Sequence, residues 1–160
     1  MSWSNVVTHA KAGGEFLARR DKATVAQLAL PEISNVLIIE DETFDADRLR
    51  ATLHVIFGRR LSVRRAATIG SALDYVLEQQ PELVFLDDYL KPNDTATLTI
   101  PFLRRAGYTG PIVVVSGAID RKRRAELKTL GASECIHKDD LDSVRIQEAL
   151  ATVFAQVTAA

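Results

Sequence analysis

Glu40 and Asp41, Asp87, Ser116 and Lys138 each stand where a short apolar run of the chain ends. Carboxylates, a hydroxyl and an ammonium brought together would suit a divalent metal ion and a phosphoryl group. The acids repel one another: two unit charges ~4 Å apart cost about 4 kcal/mol at an effective dielectric near 20. A cluster of this kind therefore needs a proton or a bound cation. Mg²⁺ is the natural cation, being hard, octahedral and satisfied by one or two protein carboxylates, waters and a phosphate oxygen. Lys138 can pair with Asp87 at rest and with a phosphoryl oxygen afterwards, while Ser116 offers its hydroxyl to another. Phosphoryl transfer asks mostly for positioning and charge neutralisation, so this set around one nucleophilic carboxylate would suffice. Taken singly the residues say little, since acids after a buried strand also suit the start of the next helix.

For these groups to meet, the runs before them must lie side by side. Leu37-Ile38-Ile39 and Val113-Val114-Val115 are continuous rather than alternating, the pattern of parallel strands buried on both faces. Strands are expected at Asn35–Ile39, Leu61–Ala66, Leu83–Leu86, Ile112–Val115 and Glu134–His137. Leu61-Ser62-Val63-Arg64 alternates, as an edge strand does. Helical periods fill the gaps. Leu49, Leu53 and Ile56 mark the inner stripe of the first helix. Thr68 or Ser71 opens the second, which ends near Gln79-Gln80 ahead of Pro81. The third runs from about Thr99 to Ala106 and stops at Gly107. Asp120 caps the fourth, whose end is set by Gly131 after Leu130. The fifth turns Leu141, Val144, Ala149, Leu150, Val153 and Phe154 toward the sheet. Strict alternation over residues 35–157 predicts an α/β fold: a doubly wound five-stranded parallel sheet of order 2-1-3-4-5. Ligands bind outside the carboxyl ends of the strands in such sheets.

The chain of 160 residues is 47% hydrophobic, which fits one domain with an ordinary core. Its 20 basic and 21 acidic residues give a net charge of −1, so no bulk field draws it to nucleic acid or membrane. Cys135 is the only cysteine, which excludes an internal disulfide and fits a reducing compartment. No apolar stretch approaches a membrane span, and Met1–Asn5 lacks the charged and apolar regions of a secretory signal. A cytoplasmic location is expected. Residues 1–34 stand outside the alternation and read as a helical N-terminal extension to a domain of residues 35–160. Trp3, Val6, Val7 and Ala10 follow helical spacing, Gly13-Gly14 interrupts, and Glu15–Leu30 forms a second helical candidate ahead of Pro31. The extension either packs on the domain as a hairpin or serves as an arm for a homodimer or a partner. Arg121-Lys122-Arg123-Arg124 reads as a solvated basic face, with a docking patch for an acidic partner as the alternative. No recognisable helix-turn-helix follows, so DNA binding is not expected. His9, His54 and His137 have no spacing suited to a metal.

Four stretches in order carry a resemblance: Val36-Leu37-Ile38-Ile39-Glu40-Asp41-Glu42, Pro81-Glu82-Leu83-Val84-Phe85-Leu86-Asp87, Val113-Val114-Val115-Ser116-Gly117 and Ile136-His137-Lys138. Residues 35–157 resemble the receiver domain of two-component response regulators, the CheY-like version of the flavodoxin-like fold. The resemblance implies that Asp87 accepts the phosphoryl group, with Ser116 the switch hydroxyl and Lys138 the lysine of the site. Glu40, Asp41, Asp87 and the backbone carbonyl of Tyr89 would hold Mg²⁺. Counting back from Pro92 to the proline usual four residues after the acceptor would choose Asp88 instead. The strand register favours Asp87, because a slip of one residue turns a side chain to the other face. Lys91 then takes the proline's position.

Other departures concern output. Cys135 lies where receivers usually carry a tyrosine or phenylalanine that swings inward, so the switch is expected to be transmitted differently. Lys91–Leu98 is long and polar, which implies an altered loop beside the site. Tyr89 and Ala118, two residues after Asp87 and Ser116, occupy positions that influence phosphate loss in receivers, and Tyr89 is expected to shield the acyl phosphate. The expectation is a stand-alone receiver, a switch rather than an enzyme. It would take its phosphoryl group from a histidine kinase or phosphotransfer protein and signal to an unknown downstream protein by contact. A pseudo-receiver adaptor would keep the fold without the chemistry, against the intact acids, hydroxyl and lysine. A phosphatase of the haloacid-dehalogenase type fits less well, since it wants Asp-x-Asp where this chain has Glu40-Asp41-Glu42.

Overall fold

The computed structural model describes residues 30–159. The helices expected before Leu30 lie outside the described residues. The chain runs β1 (Asn35–Ile39), α1 (Thr43–Phe57), β2 (Ser62–Ala66), α2 (Ile69–Glu78) and β3 (Leu83–Asp87). A two-stranded hairpin follows, β4 (Tyr89–Leu90) with β5 (Asp94–Thr95), and then α3 (Ala96–Arg105) and β6 (Ile112–Ser116). The last elements are α4 (Arg121–Thr129), β7 (Glu134–His137), a 3₁₀ turn (Lys138–Asp140) and α5 (Ser143–Ala159). The five long strands form one parallel sheet, β2-β1-β3-β6-β7, the order expected for the flavodoxin-like fold.

Alternation along the strands divides the core into two layers. Leu37, Val84, Leu86, Val114 and Cys135 face α2, α3 and α4, where Val76, Ile100 and Leu127 meet them. Ile38, Phe85, Val113, Val115 and Ile136 face the other way, onto Leu49 and Leu53 of α1 and Ile146 and Leu150 of α5. β1, β3 and β6 are buried along their whole length, as their unbroken apolar runs require. β2 is exposed or half-buried apart from Ala66, in keeping with its place at the edge. Each large apolar side chain taken out of water contributes about 1.5–3 kcal/mol, and this double layer is what fixes the strand ends in space.

The helix signals act where the sequence puts them. The Thr68 hydroxyl accepts the Ser71 N–H at 3.1 Å, and the Asp120 carboxylate accepts the Arg123 N–H at 2.7 Å. Gly131 follows α4 with φ of +111°, a left-handed conformation that a side chain would resist. Three expectations need correction. α3 begins one turn before Thr99, at Ala96, because the Asp88 carbonyl accepts the Ala96 N–H at 2.9 Å and starts the helix there. Pro101 thus sits inside the helix rather than in its first turn. Val144 was expected on the inner face of α5 but is 47% exposed, and Ile146 takes the inward position. The polar stretch Lys91–Leu98 is not one long loop: part of it pairs back on Tyr89–Leu90 as the hairpin, with a cis peptide at Lys91–Pro92, and the rest opens α3.

Candidate functional site

The register levels the strand ends. Ile39 lies opposite Leu86, Asp87 opposite Val115, and Ser116 opposite His137. Glu40, Asp87, Ser116 and Lys138 therefore emerge along one edge of the sheet. Asp87 and Glu40 continue the alternation of Phe85 and Ile38 and so point toward the α1–α5 side. There they meet Lys138, whose Nζ lies 2.7 Å from Glu40 Oε1, 3.0 Å from Asp45 Oδ2 and 3.3 Å from Asp87 Oδ2. One ammonium thus bridges three carboxylates. The expected contact with Asp87 is present, though Glu40 and Asp45 are nearer.

Asp41 begins the loop that leads to α1. Its Oδ2 accepts the Lys91 N–H at 3.0 Å, which draws the hairpin against the acidic edge. Arg65 of β2 fixes the backbone beneath: Nε donates to the Glu40 carbonyl at 3.0 Å and Nη2 to the Asp41 carbonyl at 2.9 Å. Asp87 Oδ1 accepts the Tyr89 N–H at 3.2 Å, and Ser116 Oγ accepts the Ala118 N–H at 3.2 Å. Asp41, Asp87, Tyr89, Ser116 and Lys138 all line one open cleft of about 400 Å³, with Lys91 and Glu42 paired on its rim.

The electrostatics of this edge follow from burial. Glu40 is 5% exposed, and burial together with the neighbouring Asp87 carboxylate pushes its carboxyl up to about 8, against the pull of Lys138. Burial alone would lower Lys138, but its bonds to Glu40 and Asp45 and the charge of Asp87 outweigh that and raise it above an ordinary lysine. The Lys138 contact holds Asp45 below the usual carboxylate range. Ligand oxygens of Glu40, Asp41 and Asp87 come within 4.8 Å of one another, and Glu40 Oε2 is buried without a hydrogen-bond donor. Three converging carboxylates, one of which carries a buried oxygen with no partner, fit a divalent cation such as Mg²⁺.

Asp88 has a different neighbourhood. Continuing the alternation of Leu86, it turns to the α3–α4 side, and Arg123 holds it there through Nε at 2.9 Å and Nη2 at 2.5 Å. The adjacent acids are thus separated by the sheet, and Asp87 is the one that reaches the cleft. Arg123 and Arg124 also correct the reading of the basic run as a solvated face, since both are half-buried and bonded. The sequence reading missed Asp45 as well. It lies four residues beyond Asp41 in the first turn of α1, a place where an acid is favourable without any site.

The family model for the response regulator receiver domain matches residues 36–151. The chain belongs to the receiver domain family. Receiver structures share its fold. That from a response regulator of Burkholderia pseudomallei, which holds a phosphorylated aspartic acid, a calcium ion and citrate, is 24% identical, with a TM-score of 0.64 over 79% of this chain and 71% of that one. The receiver domain of NtrX from Brucella abortus is 23% identical, covers 72% of this chain and 98% of its own, and has a TM-score of 0.63. A CheY-like receiver from Methylobacillus flagellatus is 20% identical, with a TM-score of 0.62 over 76% and 98% of the two chains. The curated proteins contain no match to the chain. As a receiver of two-component systems the chain carries an acidic edge of the kind that serves a phosphorylation switch. Among the described residues no helix is long and apolar enough to cross a membrane. Cys135 is fully buried under α4, where receivers usually carry an aromatic ring, and burial pushes its thiol up.

Proposed function

We propose that this receiver is a phospho-accepting switch in which Asp87 takes a phosphoryl group from a histidine kinase or phosphotransfer protein. The observation that carries the reading is the single Lys138 ammonium shared by Glu40, Asp45 and Asp87 at the mouth of the cleft. An Asp87 carboxylate oxygen attacks the phosphorus in line. The P–N bond of the donor phosphohistidine breaks as the new P–O bond forms, and its electron pair stays on the imidazole nitrogen. A carboxylate attacks through an oxygen lone pair, so this step asks for no separate general base. Lys138 turns from Asp87 to a phosphoryl oxygen, a charge-assisted contact that replaces the one lost. Ser116, whose oxygen accepts the Ala118 N–H, donates its own hydrogen to a second phosphoryl oxygen. Mg²⁺ held by the carboxylates of Glu40, Asp41 and Asp87 and the backbone carbonyl of Tyr89 would neutralise charge gathering on the transferred group.

The output is protein–protein contact by the receiver in a reducing, cytoplasmic setting. Residues 1–34 are a candidate arm for a partner or a second copy. The test is incubation with Mg²⁺ and acetyl phosphate, followed by intact mass. One labile phosphate should appear, and Asp87→Asn should abolish it. No gain in mass would favour a pseudo-receiver adaptor, and turnover of many equivalents without retained phosphate would favour a phosphatase.

A further inference from the structure

Asp87 and Asp88 are consecutive, yet they leave the end of β3 on opposite sides of the sheet. The second carboxylate is gripped by both arms of one guanidinium, Arg123 Nε to Oδ2 at 2.9 Å and Nη2 to Oδ1 at 2.5 Å. The two side chains are only 21% and 13% exposed. Arg123 Nη1 also donates to Thr97 Oγ1 of α3 at 2.9 Å, and Asp88 Oδ1 accepts the Ala96 N–H at 3.3 Å. A single side chain thus ties the end of β3 and the start of α3 to the first turn of α4. That turn is joined to Ser116 only through Gly117–Asp120, and Arg124 beside it donates to the Cys135 carbonyl at 2.5 Å.

A bidentate pair of this burial is strong and geometrically demanding, so it is either made or broken rather than stretched. Drawing Ser116 toward a phosphoryl group on Asp87 pulls on the loop that begins α4, while Asp88 keeps Arg123 where it is. Cys135 offers no aromatic ring beneath α4 to follow that movement. We infer that the Asp88–Arg123 pair holds α4 in the resting arrangement and opposes phosphoryl uptake at Asp87, making the two side chains positioning residues that set the resting-to-active balance. This rests on the reading of Asp87 as acceptor. A ligand that must break a restraint binds more weakly than one that need not, by the fraction of molecules already competent.

The test titrates the full chain with beryllofluoride at saturating Mg²⁺, alongside Arg123→Met, Asp88→Asn, the double variant and Arg123→Lys. Removing either partner should lower the half-saturating concentration about tenfold. The double variant should gain nothing further, because one interaction is lost in all three. Arg123→Lys, which keeps the charge but not the fork, should fall between. Asp88→Asn is nearly isosteric and guards against a misfolded Arg123→Met. Wild type that binds while every folded variant stays within about twofold of it overturns the coupling alone, even if the variants melt earlier, since a merely structural pair would do that. Wild type that takes neither beryllofluoride nor the acetyl phosphate label removes the acceptor reading and this inference with it.

Discussion

Glu40 makes the sharpest demand at the scale of single residues. With the metal chelated, its folded carboxyl titrates at about 8 rather than its ordinary 4.5. Between those values the folded chain holds a proton that the unfolded chain has released. Its contribution to stability is therefore full below the ordinary carboxyl range and is lost as pH rises toward about 8. Metal binding needs the ionised form, so Mg²⁺ affinity should climb over the same window. Thermal melts in chelator and in Mg²⁺ would check both. A Mg²⁺ affinity flat across that window would contradict the assignment of Glu40. Asp45, held low by Lys138, acts in the other direction and loses its contribution only in acid. Tyr89, half-exposed on the rim with its hydroxyl bonded to the Pro92 carbonyl, should shield an acyl phosphate on Asp87. Tyr89→Asn should lose its label several times faster after the donor is removed, and slower loss would refute the shield. The main site residues were legible because each ends an apolar run. Asp45 and Arg123 were not, because a first-turn acid and one member of a basic run look alike whether bonded or solvated.

Elements were legible where a period was unbroken. The buried strands announced themselves by continuous apolar residues, and the caps at Thr68 and Asp120 by side chains that favour the position. The hairpin and the start of α3 were hidden, since both depend on tertiary partners: Asp41 for the Lys91 N–H and the Asp88 carbonyl for the Ala96 N–H. Between α3 and β6 a further constraint is steric. A Cβ on Gly110 would fall 2.5 Å from the Tyr108 hydroxyl, and that ring is buried with its O–H donated to the Pro111 carbonyl at 2.7 Å. Gly110→Ala should cost about 1–3 kcal/mol, read as a lower midpoint in urea with an unchanged slope. A midpoint within error of wild type would show that the turn can yield.

For the whole molecule, the strand order was readable because βα alternation and right-handed crossovers leave few topologies. Its two layers then decide which of two adjacent acids reaches the cleft. Just ahead of β1, Ile33 packs on the α1–α5 layer of the core and the Ser34 hydroxyl donates to Glu82 at 2.9 Å. A shortened chain beginning at Glu32 should therefore take up phosphate as the full chain does, and any difference in hydrodynamic size beyond the lost mass would report an arm that pairs copies. Loss of uptake would instead make the extension part of the site. The central claim is that phosphate rests on one named carboxylate, and borohydride tests it most directly. It reduces an acyl phosphate to the alcohol, so peptide mapping after acetyl phosphate and Mg²⁺ should find homoserine at position 87. Homoserine at position 88, or at neither, would contradict the account.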